Sequence, residues 1–320
     1  MKFLKLLKLV FNYKQLKSDE EVRFRLLNGM KIASIPFLTL FVLMVFLWVF
    51  LYMDLVFFKA NGYANFDQFS EVFFDYIFSS VFEYGAILIG FFTFMLLFGI
   101  YLSELLLRPF KVIGDYCENW CEGEKVTYDP DFFSDLKLLT RFSEWFFNTI
   151  EISKQNGTLS PIDVPEKFTR IHQPVFEKGF FLQFSSLVLI SSICTAILFY
   201  EVIGGVHLKV VQMAYEILPE KDEVRYFLLN QSEILNGILI GVIAMHIIAY
   251  FVMALNMYDK VATPAFGIFA TMRSFIKGRY DSRVHLIGFY YLRPQCRKLN
   301  KYLSEVQKTL VNADKNQERV

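Results

Sequence analysis

Apolar residues fall into two kinds of pattern along this chain. Four uninterrupted runs, residues 32–53, 84–103, 179–200 and 234–258, contain no Asp, Glu, Lys or Arg. At about 1.5 Å per residue, each can cross roughly 30 Å of bilayer hydrocarbon, so the runs predict four transmembrane helices. The polar segments after the second and fourth runs carry the other pattern, a stripe at helical spacing. After Pro264 the apolar positions are Ile268, Met272, Phe275 and Ile276, and Gly278 follows. Further on, Leu292, Cys296, Leu299, Leu303, Val306 and Leu310 alternate steps of four and three, the seam of a coiled coil.

This helix–connector–helix pattern occurs twice. Ile113, Cys117, Trp120 and Cys121 stand at the same offsets from Pro109, and Gly123 lies fourteen residues after that proline, as Gly278 does after Pro264. Prolines and glycines alike are 155 residues apart between copies. In the first copy, Leu138, Phe142, Trp145, Thr149 and Ile152 form the second stripe, which predicts a helix over 134–151. Proline suits the first turn of a helix and glycine its left-handed end, so each first helix is expected to run from its proline to its glycine. The organisation is then an amphipathic N-terminal segment (1–31), a span pair with a short external loop (32–108), a first and degenerate module (109–155), a linker (156–178), a second span pair (179–262), a second module (263–311) and a polar tail (312–320).

Composition agrees with a membrane protein whose charge is segregated. The chain is 54% hydrophobic yet 20% charged, so its charges must lie between the spans. Lys2, Lys5, Lys8, Lys14, Lys17, Arg23, Arg25 and Lys31 precede the first span, whereas the loop after it has only Lys59 among many acids. The positive-inside rule then places both termini and both modules in the cytoplasm of a multi-pass protein of the cell (inner) membrane. Phe3, Leu4, Leu7, Val10 and Phe11 share one face among those lysines, the pattern of a helix lying in the headgroup layer. A net charge of +1 offers no attraction for nucleic acid. None of the four cysteines falls in an external loop, so no disulfide framework is implied.

The second copy has a proline just after a membrane span, a glycine fourteen residues on, Arg283-Val284 in the connector and Leu299-Asn300 in the second helix. The first has Pro109, Gly123 and Phe147-Asn148. These features resemble the HAMP module, the parallel four-helix linker of transmembrane receptors, histidine kinases and cyclases. Both copies depart from the family pattern where it has Asp-Glu at the start of the second helix: Tyr290-Tyr291 stand there in one, and only Asp135 is near in the other. The resemblance implies an all-α fold of four transmembrane helices with two HAMP-like modules, joined as a pseudo-two-fold four-helix bundle. The modules could pair within one chain or between chains of a homo-oligomer.

Candidate chemistry is sparse. Cys117 and Cys121 lie one helical turn apart and could share a soft metal, but Met272 and Ile276 at the equivalent positions point to an apolar core. His246 is the one histidine inside a span, either a proton sensor or a neutral group bonded to a neighbouring helix. Asn236 and Gly237 suit helix packing, and Glu104 suits the joint between membrane and module. No nucleotide loop, nucleophile elbow or zinc-ligand spacing is present. The expectation is a non-enzymatic signal-transduction component without cofactor or metal, embedded in lipid and read by a separate cytoplasmic or membrane protein. The alternatives are an assembly subunit of an envelope complex and, last, a small transporter.

Overall fold

The computed structural model describes residues 19–60, 66–124, 126–130, 136–217 and 222–311. The expected amphipathic N-terminal helix, the polar tail and Asp135 lie outside the described residues.

Every regular element among the described residues is helical, with no strand. In chain order they are α1 (Glu20–Ala60), α2 (Phe66–Cys121), α3 (Lys137–Asn156), the single turn α4 (Glu166–Thr169), α5 (Lys178–Ile217), α6 (Asp222–Ile276) and α7 (Arg293–Val306). A 3-10 turn (Tyr290–Leu292) precedes α7 and a π turn (Gln307–Val311) follows it. α1, α2, α5 and α6 each contain a stretch long and apolar enough to cross a membrane.

Two expectations about helix ends are corrected. The segments read as external loops are largely helical, because a charge block marks where hydrocarbon ends, not where helical hydrogen bonding ends. Nor do Pro109 and Pro264 begin helices: both lie inside, in α2 and α6, so span and module stripe share one uninterrupted helix. An internal proline leaves one carbonyl a turn earlier without its donor. The second helix of the first module is also displaced, running Lys137–Asn156 instead of 134–151.

The chain divides into two compact units, and the division does not follow the repeat. One unit takes Gly29–Gly99 and Ser186–Met253, which hold nearly all of both span pairs; the other takes Met1–Asn28, Ile100–Ser185 and Ala254–Val320, which hold both modules. In the span unit, Leu43, Leu47, Phe50, Phe58, Phe199, Ile203, Leu235 and Leu239 form a common core. Its outer face is just as apolar, with Phe41, Ile89 and Ile240 exposed, as suits helices solvated by lipid. The close helix approach is at Gly99, whose missing side chain admits the Gly29 backbone of α1. A Cβ at Gly237 would meet nothing within 4 Å and Asn236 is exposed, so the expected packing role for that pair is not seen among the described residues.

Candidate functional site

The module unit is organised by aromatic rings from both copies. Tyr116 of α2 packs on Phe147 of α3 (ring centroids 4.4 Å apart), and Tyr302 of α7 packs on both Trp120 (4.8 Å) and Phe147 (5.4 Å). Across the other side, Phe142 of α3 meets Phe269 of α6 (4.6 Å), and Phe146 meets Phe275 (6.3 Å). Position numbers of the paired rings rise together along α3 and α6, so these two segments run in the same direction. Lys298 of α7 binds Asp115 (2.8 Å) and Glu118 (2.7 Å) of α2. Partial burial alone would lower its pKa, but the two carboxylates outweigh that and hold it above the usual lysine value.

The second copy keeps the predicted stripes: Ile268, Met272, Phe275, Ile276, Leu292, Cys296, Leu299, Leu303, Val306 and Leu310 are all buried. In the first copy Phe142 is buried as expected, but the rest of the α3 stripe lies one position later than its spacing suggested. Leu139, Ser143, Phe146, Ile150 and Ser153 are buried, while Ile152 is 59% exposed. Phenylalanines at 142, 146 and 147 make two adjacent helical faces equally apolar, and only packing selects between them. On this register Phe146-Phe147, and not Phe147-Asn148, occupies the place of Leu299-Asn300.

That shift separates the two asparagines. The Asn300 side chain accepts from the Val284 N–H (2.7 Å) and donates to the Val284 carbonyl (3.0 Å), clipping the connector to α7. Arg283 continues the clip by donating to the Tyr280 and Ser282 carbonyls, Ser304 Oγ and Gln307 Oε1. Val284 and Leu299 are both buried beneath it. Asn148 is exposed and makes no such bond among the described residues. Gly123 (φ +83°) and Gly278 (φ +97°) both adopt the left-handed conformation that glycine tolerates without a Cβ clash. Gly278 also lies beneath Pro161 of the linker.

The linker, read from its turn formers as an irregular connection, packs closely along α6. The Ile162 N–H bonds the Ile276 carbonyl, Tyr280 reaches the Leu159 carbonyl, and Arg273 donates to the carbonyls of Phe168, Thr169 and Ile171.

Tyr291 accounts for one departure from the HAMP pattern. Pro264 has no N–H to offer the carbonyl of Lys260, four residues earlier. The Tyr291 hydroxyl donates to that carbonyl at 2.7 Å, while its ring stacks on Phe24 at the start of α1 (3.9 Å). A carboxylate in this place would repel the carbonyl. Nearby, Glu21 pairs with Arg25 and with Lys111 (2.6 Å), Arg293 with Glu20 (3.3 Å), and Arg25 approaches Glu104 at 4.0 Å. The expected role of Glu104 at the joint thus reduces to the outer member of a charged network.

Side chains in the span unit also meet across helices. Thr39 Oγ lies 2.8 Å from His246 Nδ1, and His207 Nε2 lies 2.9 Å from Ser232 Oγ. The Thr39 hydroxyl is also 2.9 Å from the Ile35 carbonyl. If its single proton goes there, His246 donates from Nδ1 and Nε2 is a bare acceptor. One buried polar neighbourhood was missed in the sequence. Asp54 is 1% exposed and faces Gln231, itself 3% exposed. Its place just past an apolar run suggested an external loop, but α1 continues beyond it. Asp54 stands about 22 Å along α1 from Thr39, so it is no partner for His246.

Among the described residues, no group of three His, Cys, Asp or Glu side chains could hold a metal ion. Cys117 and Cys296 are buried, and burial pushes the Cys296 thiol up to about 11. A raised thiol pKa favours the protonated folded state below pH 9, an advantage lost as pH rises from 9 through about 11. Maleimide modification of Cys296 at neutral pH should therefore be roughly a hundredfold slower than that of an unperturbed thiol, and should accelerate up to that pH. Rapid labelling at pH 7 would show an open α7.

No family model, curated protein or solved structure matches this chain.

Proposed function

We propose that the chain is a non-enzymatic membrane signal-transduction component, in which movement of the spans repacks a HAMP-like parallel four-helix bundle made by its own two modules. The observation that carries this reading is the continuity of α2 and α6 from apolar span into the shared aromatic core. A rotation of either helix is passed on by its own hydrogen bonds to Trp120 or Phe275. Both modules and both termini lie on the cytoplasmic side, and a separate protein reads the bundle surface. The two copies differ in a way that suits a switch. One is clipped through Asn300, whereas Asn148 makes no such bond among the described residues, so the α3 side can repack at lower cost. Switching requires two packings within a few kcal/mol of each other.

The competing reading is a rigid platform on which an envelope complex assembles. Spin labels at the exposed positions Asn148 and Lys301 distinguish the two in the purified full chain. A switch is expected to give two distance populations, with Gly278→Ala changing their ratio while the protein still inserts in the membrane. One narrow population, indifferent to that substitution, would overturn the relay in favour of the platform.

A further inference from the structure

The connector of the second module leaves a cavity of about 470 Å³ against α7, within the roughly 300–1,000 Å³ usual for ligand sites. Its lining includes His285, Ile287, Tyr290, Arg293, Cys296 and Arg297, and no carboxylate. Arg293 shares its charge with Glu20, but exposed Arg297 has no ion-pair or hydrogen-bond partner among the described residues.

The cavity's edge is unusually apolar for a water-facing turn. Leu286 is held over Gly267 of α6, and Gly288 takes a left-handed conformation (φ +87°). Between them Ile287 projects outward, 93% exposed, and Tyr290 is 53% exposed. The depth of this face follows from Tyr291, which is bonded to the Lys260 carbonyl just past the last apolar run. A bilayer crossed by the apolar run of α6 would end near Lys260, which would bring Tyr290 and Arg293 to its headgroup level.

We propose that this face binds an anionic phospholipid of the leaflet nearest the modules. The phosphate is drawn to Arg293 and Arg297, and the glycerol and upper acyl chain cover Tyr290 and Ile287. Guanidinium groups suit phosphate because their planar donors match its oxygens two at a time. A zwitterionic lipid would bring its own cation to a cavity that already holds two. The site does not depend on the relay reading: a rigid platform would bind the same lipid.

The test uses the delipidated full chain in detergent, titrated with phosphatidylglycerol or phosphatidylcholine and followed by native mass spectrometry. Phosphatidylglycerol is expected to bind more tightly, with Arg297→Gln weakening that preference about fivefold and Arg293→Gln,Arg297→Gln more. Arg297→Gln removes no ion pair or hydrogen bond among the described residues, so its circular dichroism should match the unaltered chain. In vesicles, the indole introduced by Ile287→Trp should be quenched by phosphatidylglycerol brominated high on its chains, beyond the quenching in the unaltered protein. Equal binding of the two lipids, or no effect of either substitution, overturns the proposal. So does saturation of the site by inorganic phosphate without any quenching, which would identify a free-anion site. Arginine-dependent binding of a polyglutamate peptide with no lipid preference would instead make this face a protein dock.

Discussion

Tyr302→Ala is expected to break the shared core of the two modules, while Tyr302→Phe leaves it intact or firmer. Tyr302 is fully buried and is the ring on which three others converge: Tyr116 and Trp120 of α2 and Phe147 of α3. Truncating a buried aromatic ring to alanine costs about 3–5 kcal/mol, a large part of the roughly 5–15 kcal/mol that holds a domain together. The cost is high here because helices from both copies back the ring and cannot all close on the void. The hydroxyl tells the opposite story, since it is buried without a hydrogen-bond partner among the described residues. Removing an unsatisfied polar group relieves a desolvation cost of about 1–3 kcal/mol. Thermal unfolding followed by near-ultraviolet circular dichroism in detergent should show a large drop for alanine and no drop for phenylalanine. Equal damage from both would mean that the hydroxyl has a partner and that the ring is not the main contributor.

Gly99→Leu is expected to separate α1 from α2 in the span unit and leave little folded protein. A Cβ at position 99 would stand 2.8 Å from Gly29 Cα, 3.0 Å from Ile32 Cβ and 3.2 Å from the Gly29 carbonyl oxygen. Two of these are backbone atoms of a helix, which cannot turn aside as a side-chain end can. Even Gly99→Ala should cost about 1–3 kcal/mol through overpacking, and leucine more. Close backbone approach matters in lipid, where association rests on contact and hydrogen bonding because the surrounding tails are as apolar as the helices. Gly90→Leu is the control, because a Cβ there would meet nothing within 4 Å. Size-exclusion profiles should show a monodisperse species for the control and aggregate for Gly99→Leu. Indistinguishable profiles would remove the Gly29–Gly99 crossing from the account.

Much of the fold is legible in the sequence because lipid imposes simple rules. An apolar run of about 20 residues in lipid must satisfy its backbone internally, so all four helices long and apolar enough to cross a membrane could be read from composition. The α7 stripe was equally plain, since aliphatic residues at seam positions alternate with charge. The α3 stripe was not, because Phe142, Phe146 and Phe147 widen its apolar face until two registers fit. Asp54 went unnoticed for a related reason. A carboxylate after an apolar run reads as an exit to water, and only its neighbours reveal that it stays buried. Tyr291 looked like a flaw in the HAMP pattern until Pro264 and the Lys260 carbonyl were seen beside it. Pairing of that kind depends on a connector whose path has no periodicity to betray it.

The sequence by itself determined four long apolar helices and two striped proline–glycine segments, with a charge asymmetry between the stretches that flank them. Each of these is a local property, set by spacing along one helix or by the preference of a residue for water or lipid. Tertiary structure decided which surfaces meet. It grouped modules with modules and spans with spans across the repeat, placed the prolines inside continuous helices, and clipped the second copy's connector through Asn300. Those outcomes turn on shape complementarity between residues far apart in the chain, such as Tyr302 against Trp120 and Gly99 against Gly29. Periodicity carries no record of such partners.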